Sequence, residues 1–447
     1  MFDFLYSEEK KLRRSAAQWL EMAERVYDYR RDQLIPAQLQ QLESAREELK
    51  KRTRDGSKAD ALRESIERLE KALVVCGGRL YPTTSLVENV DFFLVAAIVI
   101  LGLRAYFIQP FKIPTNSMWP TYYGMTSEVF KTGEEPGAAA KAVRLVTLGA
   151  RNYTIKAPAD GEVMIPFFEN GLPAYSERPG RTMFVFPAVM HEYTISVGGE
   201  LVRLTAPADW AKSPDFGYDS VISKTFYDGT RLGLYRALQA ADQARQLGGP
   251  PLRLSSTGEA RNVLWLRTGR TVRKGEPILS FDILTGDMLF VDRISYNFFP
   301  PKVGQGFVFH TRQIPGIGAD QYYVKRLVGL PKDTMEIRRP AQTVTDGDQA
   351  RMGPPNGLLF RNGEPISGAD AFVKNANKEG LYPGYTPGGL LPFGEALTVP
   401  EGSYFAMGDN SPNSADGRSW GFVPEKEVVG RPLFIYYPIT KRWGPAK

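Results

Sequence analysis

Residues 92–103 read Phe-Phe-Leu-Val-Ala-Ala-Ile-Val-Ile-Leu-Gly-Leu, the most apolar run in the chain, and Ala-Tyr-Phe-Ile continues it after Arg104. A run of this kind either crosses a bilayer or lies buried in a core, so it separates the residues on its N-terminal side from those on its C-terminal side. As a helix, Phe92 to Ile108 covers roughly 25 Å against a hydrocarbon core of about 30 Å, which calls for local thinning or help from Leu86 and Val87. Arg104 stands near one end and can snorkel to the headgroups. The charged residues 1–80 ahead of the run exclude a cleavable signal peptide, so residues 86–108 are read as an uncleaved anchor. Positive charges are few on both flanks, and charge alone does not orient it.

Residues 1–80 mix Glu, Lys, Arg, Gln, Leu and Ala, with breaks at Pro36 and at Asp55-Gly56, the pattern of two or three helices. Leu62, Ile66, Leu69 and Leu73 recur along one helical face, and Leu39, Leu42 and Leu49 form a matching stripe before the turn. The stripes predict an antiparallel helical hairpin or coiled coil; the alternative use is as an arm for self-association or a partner.

From Pro110 onward the chain turns to short runs rich in Val, Ile, Tyr and Phe between Gly, Pro, Asn and Asp, the signature of a mainly β domain. Asn362-Gly363 between apolar runs predicts a two-residue hairpin turn, because both residues tolerate positive φ. Residues 375–394, rich in Gly and Pro, read as a loop. Between them and the anchor, AVRLV, NYTIKAP, GEVMIP, TMFVFP and YTISV predict strands of a further β-rich region.

The bulk composition narrows the function classes. A chain of 447 residues exceeds what one core normally fills. Net charge is +6, from 56 basic and 50 acidic side chains, too small an excess to indicate nucleic-acid binding. With one cysteine, Cys76, no intramolecular disulfide can form. The two histidines, His191 and His310, lack the neighbours of a metal motif or a His-based triad, and no cofactor or metal site is indicated. Ser7-Glu8-Glu9-Lys10 and Lys131-Thr132-Gly133 match β-lactamase-type patterns by coincidence, the first in a charged helix and the second in a Gly/Pro loop.

Four segments carry the chemistry: PTNSMWPT at 114–121, TGDMLFVDRISY at 285–296, YYVKRLVGLPKD at 322–333 and MGDNSPNSADGRSWGFVP at 407–424. Ser117 lies in a Pro-bounded turn just after the anchor. A serine nucleophile needs a base, and with so little histidine the base is a lysine or a carboxylate. Lys325 sits in an alternating strand with apolar neighbours, where burial would lower its pKa into a useful range.

In this order and after an apolar span, the four segments resemble the type I signal peptidases. Arg104, Pro110-Phe111, Ile113-Pro114, Ser117-Met118 and Pro120-Thr121 occupy the places of that family's serine segment. The resemblance implies a Ser117/Lys325 dyad, with Thr115 and the Ser117 backbone N–H as the oxyanion hole. It further implies that Ser414 orients the lysine and that Asp409, Asp416 and Arg418 brace the last segment. Asn116, Lys332 and Gly417 depart from the family pattern, at two places where it often has glycine and at one where it has serine.

The implied architecture is a signal-peptidase-like antiparallel β domain over 109–125 and 282–440, split by a β-rich insertion over 126–281. A helical hairpin over 1–80 and one transmembrane helix precede it. APADGEV at 157–163 and TVRKGEPIL at 271–279 are similar to the paired segments of lipoyl-like barrel-sandwich folds, without an attachment lysine in the turn. The implied function is removal of signal peptides from exported preproteins after small residues, Ala-x-Ala in type, at the bacterial cytoplasmic membrane. The N-terminus would then be cytoplasmic and the catalytic domain outside, with preprotein signal peptides and the bilayer as partners and no nucleic acid. Two other readings stay open: a membrane-anchored secretion adaptor, and a catalytically inactive homologue.

Overall fold

The computed structural model describes the chain except residues 1–7, 57, 83, 183–185, 212, 214, 245–249, 255–257, 319, 341–355 and 447. It divides into two compact units, 1–102 and 103–447. Ser7 of the Ser-x-x-Lys match lies outside the described residues.

The first unit holds α1 (Glu8–Arg30), α2 (Pro36–Arg54) and α3 (Ala59–Cys76). The stripes of α2 and α3 pack as their spacing requires: Leu42, Leu49, Leu62, Leu69 and Leu73 are fully buried. The hairpin is not alone, because Ala16, Ala23 and Val26 of α1 join the same core and make a three-helix unit. Leu12 and Trp19 pack beside them, so Leu12, Ala16, Trp19, Ala23 and Val26 form the stripe of α1 at the spacing of one helical face.

The apolar run forms α4 (Ser85–Tyr106), 22 residues long and, among the described residues, the one helix long and apolar enough to cross a membrane. It begins earlier than the apolar run, taking in Glu88 and Asp91, and at roughly 33 Å needs no bilayer thinning. None of its residues is buried, and Phe92 and Ile98 are about two-thirds exposed, at 68% and 71%.

In the second unit, an eight-stranded antiparallel sheet carries the order Ile108–Lys112, Met288–Asp292, Val428–Tyr437, Gly306–His310, Tyr322–Gly329, Ser403–Met407, Val423–Pro424, with Gly444–Pro445 added to the third. The strand that comes after α4 is thus the edge strand, paired with one that lies beyond residues 126–281 in sequence. Arg293 ties this junction, its N–H donating to the Phe107 carbonyl at 3.0 Å. A four-stranded sheet (Glu364–Pro365, Leu358–Arg361, Thr334–Arg338, Ala396–Thr398) has its own core around Met335, Ile337, Leu359 and Phe372. Its hairpin turns at Asn362-Gly363 with φ of 53° and 82°, the positive pair a type I′ turn demands. The helix Asp370–Asn377 reaches into the segment read from sequence as a loop.

Residues 126–281 contribute most of a five-stranded and a three-stranded antiparallel sheet that close on one core, with Val163, Ile165, Phe167, Ile195, Trp210 and Phe281 all buried. The 157–163 and 271–279 segments do come together: the Gly275 N–H donates to the Ala157 carbonyl at 2.9 Å and the Ala157 N–H to that of Glu276 at 2.8 Å. One strand expectation fails. AVRLV lies inside helix α5 (Ala138–Leu148), where the preceding alanines favour helix and Gly149, at φ 61°, supplies a left-handed C-cap. TMFVFP falls partly on residues outside the described set.

Candidate active site

Ser117 sits in a loop whose neck is closed by two backbone bonds, Met125 N–H to the Pro114 carbonyl at 3.0 Å and Ile113 N–H to that of Asp287 at 2.9 Å. Ile113, Met118 and Tyr122 from this segment fill a cluster with Leu289, Val291, Val308 and Ile435. Apolar residues on both sides of the serine therefore anchor the loop in the sheet, while Ser117 itself stays half-buried. From the far segment, the Asn410 N–H donates to the Ser117 carbonyl at 3.1 Å and its amide Nδ2 to the Asn116 carbonyl at 3.1 Å.

Lys325 reaches this serine from the strand Tyr322–Gly329, opposite Phe307. Its Nζ lies 2.5 Å from Ser117 Oγ, and the residue is 4% exposed. Burial pulls its pKa down to about 8; Asp416 and Asp409 act to raise it, and Arg418 helps lower it. Both carboxylates are themselves held by arginines. Arg326 forks onto Asp409 through Nε and Nη2 at 2.7 and 2.6 Å, and Thr121 donates to the same carboxylate at 2.5 Å. Arg418 donates to Asp416 through Nε and Nη2, both at 2.8 Å, and Asp416 also accepts the Gly408 and Arg418 N–H groups at 2.9 and 3.2 Å. Arg418 further donates to the Ser411 carbonyl at 2.7 Å, which closes the loop on itself.

The packing here leaves no room for larger residues. A Cβ on Gly408 would stand 2.2 Å from Ser414 Oγ and 2.4 Å from the Ser117 carbonyl oxygen. At Gly417, where the sequence departs from the pattern it resembles, a Cβ would stand 2.6 Å from the Phe405 ring. Glycine is what this backbone accepts there.

The structure thus brings Ser117, Lys325, Asp409, Asp416 and Arg418 together. Thr115 is exposed and, with Ser117 and Lys325, lines a cleft of ≈ 320 Å³. The expected bond from Ser414 to the lysine is not made: Ser414 Oγ is buried with no hydrogen-bond partner among the described residues, and the amine is engaged by Ser117 instead. Sequence reasoning missed Asn116, treated only as a departure from glycine. It is 5% exposed; its Nδ2 donates to the Met125 carbonyl at 2.8 Å and to Ser213 Oγ at 3.1 Å, and its Oδ1 accepts the Gly124 N–H at 3.0 Å. A buried amide with three partners, one residue before Ser117, leaves no mark on periodicity, and Ser213 is far away in sequence. The histidines lie elsewhere, His191 against Glu177 and Tyr193, and His310 beside Asp320 and Tyr322.

A serine whose hydroxyl meets a buried lysine on an antiparallel sheet, with both histidines elsewhere, is an arrangement suited to a serine hydrolase. The model of the family "Signal peptidase, peptidase S26" matches residues 279–437, which hold Lys325 and the 407–424 loop. The chain is 35% identical over 162 residues to the probable signal peptidase I-1 of Synechocystis sp. (strain ATCC 27184 / PCC 6803 / Kazusa), covering 36% of this chain and 66% of that protein. It is 30% identical over 161 residues to the signal peptidase I of Bacillus caldolyticus, covering 35% and 73%. A solved signal peptidase I from Enterococcus faecalis V583 is 26% identical and covers 30% of this chain and 97% of its own, with a TM-score of 0.20. The chain belongs to the signal peptidase I family. It spans 66%, 62% and 60% of the length of three of the signal peptidases it matches.

Proposed function

We propose that this protein is a membrane-bound serine endopeptidase that removes signal peptides from exported preproteins after small residues, Ala-x-Ala in type. The observation that carries the reading is the 2.5 Å approach of Lys325 Nζ to Ser117 Oγ, by an amine that burial holds near a pKa of about 8.

The neutral amine of Lys325 accepts the proton of the Ser117 hydroxyl as Oγ attacks the scissile carbonyl carbon. The oxyanion takes hydrogen bonds from the Thr115 hydroxyl and the Ser117 N–H. Collapse breaks the C–N bond, and the leaving amine receives its proton from the Lys325 ammonium. The lysine then takes a proton from water, whose hydroxide attacks the acyl-enzyme; collapse breaks the ester bond, and the ammonium returns its proton to Ser117 Oγ. Ser414 is assigned to hold the amine in line once substrate displaces the resting contact; its unpartnered buried hydroxyl supports this role. Asp409, Asp416 and Arg418 keep the wall of the site in place. An extended substrate lies in the cleft between Ile113–Ser117 and Tyr322–Lys325, where shallow pockets read alternate side chains.

The division of labour that fits is a helical unit over 1–80, an anchor over 86–108, a catalytic domain over 109–125 and 282–440, and an inserted domain over 126–281. Preproteins are cleaved outside the cytoplasmic membrane, which puts the helical unit on the cytoplasmic side, where its surface is available for self-association or a partner. The test is incubation of detergent-solubilised protein with a preprotein. Wild type should release the signal peptide and Ser117→Ala should release none; turnover by Ser117→Ala would overturn the reading.

A further inference from the structure

Residues 126–281 are usually the kind of segment set aside as an accessory, because they interrupt the catalytic sheet at a loop. Three of their contacts argue otherwise. Ser213, 7% exposed, accepts the Asn116 amide at 3.1 Å, one residue from the nucleophile. Asp215 accepts Asn413 Nδ2 at 2.7 Å, and Asn413 belongs to the 407–424 loop that forms the opposite wall. The Phe216 ring lies edge-on against Trp119 at 5.7 Å, two residues after the nucleophile, and its carbonyl accepts the Ser127 hydroxyl at 2.7 Å. One short stretch of the insertion therefore touches both loops that make the site, and Ser213 and Asp215 also line the cleft.

We propose that the inserted domain is a working part of the catalytic site: through Ser213, Asp215 and Phe216 it fixes the nucleophile loop, with Asn116 as the positioning residue between them. The departure at 116 and the insertion are then two halves of one device. A glycine at 116 has no amide to offer, and Ser213 without Asn116 has no purchase on the loop. Asn116 also donates to Met125 and accepts from Gly124, so it ties the serine to the neck of its own loop and to the insertion at once. Positioning of this kind acts on the chemical step, because a nucleophile displaced by a fraction of an ångström still meets substrate but attacks it less often. The inference rests on the Ser117/Lys325 reading.

The experiment uses the full chain in detergent with a preprotein, and reads kcat and KM separately. Ser213→Ala is expected to lower kcat on the order of 10-fold and Asn116→Ala on the order of 100-fold, with KM changing by less than about twofold. Because Ser213 acts through Asn116, adding Ser213→Ala to Asn116→Ala should cost nothing further, whereas independent sites would multiply. Ser213→Thr, which keeps the hydroxyl, should restore kcat. The acid limb of the pH–rate profile should stay near 8 in Ser213→Ala, since the lysine's surroundings are untouched. Should Ser213→Ala fold poorly by its melting curve, Asn413→Ala removes the insertion's other side-chain contact with the site, the bond to Asp215, and should lower kcat about threefold. Wild-type kcat in Ser213→Ala, or in Asn413→Ala where that variant stands in, overturns the proposal, as does multiplicative loss in the double variant. Loss of cleavage in Ser117→Ala beside full activity in Ser213→Ala defeats this proposal alone; cleavage by Ser117→Ala defeats the dyad and the proposal with it.

Discussion

Lys325 and Arg326 are consecutive, both basic and both buried at 4% and 2% exposure, yet the strand turns their side chains to opposite faces and opposite fates. On one face, Arg326 meets Asp409 in a two-bond fork, gains the Gly304 carbonyl at 2.6 Å, and has its pKa pushed further up. On the other, Lys325 finds, among the described residues, no carboxylate in hydrogen-bond contact and meets the Ser117 hydroxyl, and burial brings its pKa down to about 8. The two carboxylates that act on its charge, Asp409 and Asp416, are each committed to an arginine. A buried charge with a matched partner is structure; a buried amine denied one is suited to the base role proposed for Lys325.

The largest expected effect breaks the chemical face and spares the structural one. Lys325→Ala and Ser117→Ala should each lower kcat for a preprotein at least on the order of 10⁴-fold, as loss of one member of a catalytic unit does elsewhere. Both should keep the wild-type circular-dichroism spectrum, since the Arg326 face is intact. Appreciable turnover by Lys325→Ala would remove the distinction between the two residues. The second effect breaks the structural face: Asp409→Ala leaves Arg326 buried without its partner, and should destabilise by about 3 to 5 kcal/mol in denaturant unfolding. A loss below about 1 kcal/mol would mean the fork is no more than a surface-type pair.

How far each face is legible in the sequence differs for the same reason. Lys325 stands out because the chain offers so little histidine and because its strand alternates, so the chemistry and the motif point to one residue. Asp416 and Arg418 are legible through the resemblance of their loop to the last segment of the signal peptidases. Arg326 does not stand out, because its partner Asp409 is distant in sequence and a lone arginine in a strand looks like any other. Asn116 is hidden in the same way by Ser213. Lys332 shows the converse: it replaces a glycine of the pattern and yet keeps a left-handed φ of 72°, so the backbone requirement survives the substitution. In the helical parts, α1 packs through Leu12, Ala16, Trp19, Ala23 and Val26, a spacing present in the sequence that the pairing of α2 with α3 leaves out. α4 extends beyond its apolar run because Glu88 and Asp91 lie inside its first turns.

A third, smaller effect sharpens the comparison by turning one face into the other's opposite. Lys325→Met keeps an unbranched apolar stem of nearly the same length and removes the amine. The folded pKa of about 8 lies below the ordinary 10.5, so the unfolded chain binds the proton more tightly, and the cost of burying the amine is fully present below pH 8. It is relieved as pH rises from 8 to 10.5. Lys325→Met should therefore be inactive but more stable than wild type by about 2 to 3 kcal/mol at pH 7, with the advantage gone by pH 10.5. A variant less stable than wild type at pH 7 would show that the amine contributes to the fold as Arg326 does.

The smallest effect is carried by protons alone and leaves every side chain in place. As the proposed base, Lys325 would act in its neutral form, and that form loses a factor of ten for each pH unit below its pKa. With the pKa at about 8, kcat/KM for a preprotein should rise with unit slope up to pH 8 and level above it. Arg326 stays charged across this range and adds no second step, so the acid limb should report one group. A midpoint near 10.5 instead would mean that the lysine keeps its solvent pKa. The contrast between the two neighbouring residues would then rest on geometry without the electrostatics that gives it meaning.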